Sequence, residues 1–442
     1  MGLGPRQRWL MFIAPCLLVC FLLLGSCSTA IDLGPAESFY SSANYAGALQ
    51  SLERRSGELL RAQGPIILNY DLGMLSRLTG DWKRSNELLS ESERLITEAR
   101  TQSVTASLAS FIINDNTKPY GGTDYEDLYI NVFKALNYLS LGDEEAALVE
   151  LRRSLEKQSA LRQRWAHNEK QIASWARQNN LPYDGSQLYA ASFSTSALAN
   201  WLAAIVADHL DDRSMADHSV AQIPHAFSSQ PLLYPFPIPQ AAQIQQGQSI
   251  KENVHLVSLV GRSPTKEERW DYIYVDKNTR IRVAYPVLVE RGSAVASITV
   301  HVDGKQIMLQ PLESLSKIAV DTFGPTSQVA LQKSTLRSMA RMLGIAVSDS
   351  LSSSDDSNTS FLGDLLGVIF KVSAEVAERA DVRTTHFLPA EAWVASLDLK
   401  PGTYSAHVVF RSRTGQVLSQ QSINPIVVNA DSLCFVELPF PR

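Results

Sequence analysis

The sequence predicts an α+β protein, with an all-helical amino-terminal half and a mainly β carboxyl-terminal half that carries two inserted helices. Three observations predict it. Apolar residues recur at helical spacing from about residue 33 to residue 228, prolines at 231, 235, 237 and 239 then interrupt any regular element, and from residue 254 Val and Ile alternate with polar residues. At 442 residues, 45% hydrophobic and 19% charged, the chain has the composition of folded protein and more length than one ordinary core needs. The expected divisions are 1–26, a signal; 27–230, helical; 231–250, a Pro/Gln-rich linker; and 251–442, an α+β, β-sandwich-like domain. A net charge of −5 offers nothing to nucleic acid.

Residues 1–26 have the three parts of a secretory signal: a basic start with Arg6 and Arg8, an apolar run from Trp9 to Leu24, and small residues at its end. The run is sixteen residues long and contains Pro15, short of the roughly 20 that cross a bilayer. Its end, Leu24-Gly25-Ser26-Cys27, resembles the bacterial lipobox. That resemblance implies cleavage between Ser26 and Cys27, a diacylglyceryl group on the Cys27 thiol, and a membrane anchor made of lipid. Ser28 in place of Asp after the cysteine implies sorting to the outer membrane, with the protein facing the periplasm. Cys16 and Cys20 leave with the signal, so Cys434 has no partner, and neither a disulfide framework nor a thiolate metal site is expected.

The helical half contains units of one plan. Phe39 to Glu53 turns near Asn44, a second unit turns at Gly80-Asp81-Trp82, and a third at Gly142-Asp143. Aligned on these turns, the units place small residues at 36, 73 and 135 and again at 48, 85 and 147. This resembles the tetratricopeptide repeat, in which small side chains let two antiparallel helices pack closely. A degenerate fourth unit has its turn at Asp211-Asp212, and an insertion runs from Asp115 to Glu126. The repeat resemblance implies a concave surface that grips protein or peptide. Tyr120 and Tyr125 in the insertion either reach that surface or belong to a rigid, close-packed loop.

Beyond the linker, strands are expected over 254–261, 279–290, 294–309 and 402–418, with hairpin turns at Asp303-Gly304 and Thr414-Gly415. An open sheet or sandwich fits them. The two inserted helices are expected over 327–344 and 361–381, separated by a polar stretch. The lipobox, the Leu-Gly-Asp turn and the segment Ala377–Tyr404 together resemble a family of uncharacterised bacterial lipoproteins with a tetratricopeptide-like amino-terminal half. Ala380, Asp381, Arg383, Leu388, Pro389, Pro401 and Gly402 match its Ala-Asp-x-Arg, Leu-Pro and Pro-Gly pattern, whereas Thr385-His386 stand where an aromatic residue is expected. The family carries no established activity to transfer.

No nucleophile elbow, zinc helix, phosphate loop or dinucleotide fingerprint occurs in the sequence. His209, His218 and His225 are nine and seven residues apart, and nothing in that spacing puts two on one helical face. The candidate constellation is Asp381, Arg383 and His386. It reads most simply as a latch, with charge-assisted hydrogen bonds tying a helix end to the next strand; the other readings are a ligand site and acid/base chemistry. The sequence therefore points to a lipid-anchored, non-enzymatic adaptor or assembly factor of the bacterial envelope, with a protein or peptide partner, no cofactor and no metal. The alternative is an envelope hydrolase or small-ligand receptor with its site between the halves, near Asp381 and Arg383.

Overall fold

The computed structural model describes residues 32–105, 118–178, 191–274, 280–342, 379–430 and 432–440. The amino-terminal half forms helices α1 (Pro35–Ser41), α2 (Tyr45–Arg54), α3 (Ser56–Gln63), α4 (Pro65–Leu78), α5 (Trp82–Thr105), α6 (Asp124–Leu141), α7 (Glu144–Gln178), α8 (Ala197–His209) and α9 (Arg213–Ser229). Local chemistry sets their starts. Asn44 accepts from the Gly47 amide at 2.9 Å, Ser196 from Ala199 at 3.0 Å and Asp212 from Met215 at 3.1 Å.

Apart from α3, the helices form four antiparallel pairs, α1/α2, α4/α5, α6/α7 and α8/α9. Each pair turns on one left-handed residue: Ala43, Gly80, Gly142 and Asp211 have φ of 59°, 82°, 74° and 60°. The small residues expected from the first three units fall where helices meet, and the fourth pair repeats them: Ala36, Ala135 and Ala204 are buried seven positions before the turn, and Ala48, Ser85, Ala147 and Ala216 five after it. Gly73 completes the first set. A Cβ there would stand 3.0 Å from the Leu89 side chain, so anything larger pushes α4 and α5 apart.

The carboxyl-terminal half contributes β1 (Val254–Val260), β2 (Thr265–Tyr274), β3 (Arg280–Val289), β4 (Ser297–Val302), β5 (Lys305–Ser314), α10 (Leu315–Met342), β6 (Glu391–Leu397), β7 (Gly402–Arg411), β8 (Val417–Val428) and β9 (Cys434–Glu437). Seven strands form one sheet in the order β8-β7-β4-β5-β6-β1-β9, and β2 and β3 form a separate hairpin. The sheet is nearly closed, which corrects the expected sandwich. Phe410 stacks on Phe440 at 4.8 Å, Gln421 donates to the Pro439 carbonyl at 3.2 Å, and the inward residues fill a single interior that includes Leu256, Ile298, Val300 and Val408. Asp303 and Gly304 turn the β4–β5 hairpin with φ of 49° and 70°, as their pairing predicts.

The first inserted helix starts earlier than expected, directly at the end of β5. Pro325 lies inside it, and burial of Leu315, Ile318, Ala319 and Phe323 outweighs the backbone hydrogen bond that the proline removes. The second expected helix, 361–381, lies outside the described residues up to 378, and Arg379 to Asp381 are not helical.

One hydrophobic cluster joins the two halves. Tyr70, Phe133 and Trp201 of the helices share it with Val257 and Leu259 of β1, Leu312 of β5, and Phe387 and Leu388. Strand β1 is therefore buried on both faces along all seven residues, Val254, Leu256 and Val260 facing the sheet interior and Val257 and Leu259 the helices. The segment 231–250 is packed too, with Leu233, Tyr234 and Ala242 buried.

Candidate functional site

Tyr40 of α1, Asp71 of α4 and Glu126 of α6, each on the first helix of its pair, meet the segment 380–390, which has no helix or ladder of its own before Glu391. Extended backbone must find partners for its amides and carbonyls, and here helix side chains supply them. The Thr385 amide and hydroxyl donate to Glu126 Oε1 at 3.0 and 2.9 Å. The His386 amide donates to Asp71 Oδ1 at 2.8 Å, and His386 Nδ1 lies 2.7 Å from Oδ2 of the same carboxylate. Tyr40 donates to the Phe387 carbonyl at 3.4 Å and meets its ring edge-on at 4.9 Å. At the far end, the Ser263 amide donates to the Leu388 carbonyl at 2.8 Å, and that of Ala390 donates to the Val260 carbonyl at 2.9 Å.

All five candidate residues meet here. The Arg383 guanidinium grips Asp381 through Nε at 2.8 Å and Nη2 at 2.7 Å, donates to the Lys118 carbonyl at 2.9 Å, and lies 5.5 Å from the Tyr120 ring centre. Tyr120 donates to Glu126 Oε2 at 2.6 Å, and the Tyr125 hydroxyl is 3.0 Å from that of Thr384. Both tyrosines are buried, Tyr120 in the loop and Tyr125 in the first turn of α6, so the expected insertion is close-packed here and its last three residues are helical. Burial pushes both phenols well above 10, with the nearby Glu126 charge acting in the same direction. Lys266 completes the cluster, its ammonium 4.8 Å from the Tyr120 ring centre and 5.2 Å from that of Phe323. Burial lowers its pKa, against the opposing pull of Asp381 and Glu126.

Sequence reasoning missed the acceptors. Glu126 is fully buried, and it also takes the Thr123 amide at 2.7 Å, which makes it the third helical residue of a Thr-x-x-Glu box at the start of α6. That signal stands in the sequence as Thr123-Asp124-Tyr125-Glu126. Asp71 sits among Ile66, Leu68, Leu72 and Met74, where an acid inside an apolar helix implies a buried partner.

Two further buried groups bind the halves. Glu313, at the end of β5, is fully buried and accepts from Tyr129 at 2.6 Å, Tyr234 at 2.8 Å, Ser196 at 2.8 Å and the Leu198 amide at 3.1 Å. Burial raises its pKa, and these four donors oppose the rise. Arg77 of α4 pairs with both oxygens of Glu437 on β9, at 2.6 and 2.8 Å, and donates to Asn137 of α6 at 3.0 Å. The cavity between Tyr40, Tyr45, Arg77, Phe387 and Glu437 is ≈ 20 Å³, room for about one water.

Elsewhere on the helical array a shallow, solvent-open depression runs along α5. Ser90, Glu93, Arg94, Thr97, Glu98 and Thr101 form one face of α5 and, with Lys134 and Arg153, line a groove of ≈ 550 Å³. At its floor Glu93 is held by Lys134 and Lys157, each at 2.8 Å. Burial would raise the Glu93 carboxyl, but the two ammonium groups outweigh it and hold it at about 2.

Of the three histidines 209, 218 and 225, His209 pairs with Glu144 at 3.1 Å. Among the described residues no three His, Cys, Asp or Glu side chains are placed to hold a metal, and no helix is long and apolar enough to cross a membrane. Cys27 and Ser26 lie outside the described residues. Comparison with known proteins returned no family model, no curated protein and no solved structure that matches this chain.

Proposed function

We propose that this chain is a lipid-anchored, non-enzymatic adaptor or assembly factor of the bacterial envelope, held by Cys27 and facing the periplasm from the outer membrane. Its tetratricopeptide-like array meets a protein or peptide partner. The observation that carries the reading is how the two sides of the array are used. The side facing the sheet is filled by residues 380–390, whose polar groups are matched to Asp71, Glu126 and Tyr40, while the groove along α5 stays open and offers both signs of charge. The partner site is therefore that groove, and the segment that fills the other side is structural. A hydrolase or small-ligand receptor at Asp381 and Arg383 would need those groups turned toward a ligand, and here they grip each other and the Lys118 carbonyl.

A photo-crosslinking residue in place of exposed Thr97, in the intact envelope, tests the groove. The expected result is one discrete adduct, lost when Arg94→Glu and Glu98→Lys exchange the charges beside it. An adduct that forms equally well from Gln306, on the sheet, contradicts the assignment. Anchoring is tested separately: Cys27→Ser should release the protein from the detergent phase or leave it unprocessed, and a shortened Ser variant that still partitions into detergent overturns it.

A further inference from the structure

The chain leaves the described fold at a fixed point. The Asp32 side chain accepts from the Gly34 amide at 2.7 Å and its carbonyl accepts from Arg55 Nη1 at 2.8 Å, while Leu33 is buried. Asp32 is thereby pinned beside the start of α3. Between it and Cys27 lie only residues 28–31, a span of at most about 18 Å whatever their conformation. A lipid on Cys27 would therefore bring the surface around Arg55 and α3 against the bilayer.

That surface has the chemistry of an interfacial contact. Helix α3 buries Leu59 and Gln63 and turns Gly57, Leu60, Arg61 and Ala62 outward, with Arg54 just before it. Leu60 is 46% exposed, a large apolar side chain on a helix whose core face is elsewhere. Glu58 is held by Arg55 through two hydrogen bonds, at 2.9 and 2.8 Å, so its charge is matched within the turn. Asp32, exposed beside Arg55, leaves one acid against Arg54 and Arg61, so the surface keeps a net positive charge. An outward leucine between two arginines suits a surface of anionic headgroups over hydrocarbon.

We infer that α3 is the membrane-facing element of this protein: Leu60 inserts into the headgroup layer of an anionic bilayer, with Arg54 and Arg61 against the phosphates. The inference rests on the lipid anchor proposed at Cys27. It orients the molecule, and it makes α3 a second, weak attachment beside the acyl chains.

The test uses the mature acylated protein, residues 27–442 with Cys434→Ser, reconstituted in vesicles of phosphatidylethanolamine and phosphatidylglycerol that carry a headgroup-attached quencher. A fluorophore is placed through Leu60→Cys and, as controls, through Leu232→Cys and Met308→Cys, whose parent residues are 78% and 61% exposed. Quenching at position 60 should exceed that at either control several-fold. It should fall to their level in phosphatidylcholine vesicles and in the Arg54→Glu/Arg61→Glu variant, with the protein still vesicle-bound and its circular dichroism unchanged. Vesicle-bound protein quenched no more at 60 than at 232 or 308 overturns the orientation and leaves the anchor standing. Protein that does not float with the vesicles overturns the anchor and the orientation with it.

Discussion

Arg383 donates to both oxygens of Asp381 and to the Lys118 carbonyl, and it covers the Tyr120 ring. Truncation leaves the part-buried Asp381 carboxylate with the residue-383 amide but no guanidinium, and the Lys118 carbonyl without this donor, so Arg383→Ala should cost about 1–3 kcal/mol of stability and lower the melting temperature. An unchanged melting temperature with function lost would turn the latch into a ligand site. Two glutamates, half-buried Glu93 and fully buried Glu313, should shape the pH dependence in opposite senses. Glu93, held at about 2 against an ordinary 4.5, contributes stability that is present above pH 4.5 and lost as pH falls through about 2. The pKa of Glu313 is raised above 4.5, so its contribution is fully present below that pH and lost as pH rises through the folded value. Accordingly Glu93→Gln should flatten the acid limb of a stability–pH curve, and Glu313→Gln the limb above pH 4.5. Denaturant melts at several pH values read both, and the same limb flattened by both variants would contradict the assignment.

At the level of elements, the longest exposed run in the segment 231–250 is Gln245 to Ser249, although Gly247 donates to Asp217 and Ser249 accepts from Arg213. Limited proteolysis within the described residues should cut there before it cuts α6 or α7, and an early cut between residues 130 and 155 would mean that this pair is not packed as described. The first three helix pairs were legible in the sequence because turn chemistry and small residues recur at fixed offsets, and the fourth was legible from its turn at Asp211-Asp212. Strands with one alternating face, such as β4 and β7, were legible for the same kind of reason. Strand β2 was not: Lys266, Glu267, Glu268, Arg269 and Asp271 crowd it, and its pairing is confined to a two-stranded hairpin. Nor was β9, four residues whose parallel place beside β1 is decided by residues far away in the chain. At the site, Asp381, Arg383 and His386 were legible as a constellation. Asp71, which accepts from His386, and Glu126, which accepts from the neighbouring Thr385, were not paired with this segment, because the contacts span 315 and 259 residues.

For the whole molecule, the consequence is that the halves are parts of one folding unit. Val257 and Leu259 of the sheet share a cluster with Phe133 and Trp201 of the helices, and three buried polar clusters cross the same boundary, around Glu126, Glu313 and Arg77. Neither half alone could cover its facing surface or satisfy those charges. Calorimetric unfolding of residues 28–442, with no lipid attached, tests this most directly. A single transition should be seen, with calorimetric and van't Hoff enthalpies equal, and Glu126→Ala or Glu313→Ala should move the whole transition down together. Two resolved transitions, or a variant that shifts one and leaves the other in place, would contradict the claim that the segment 380–390 makes array and sheet a single body.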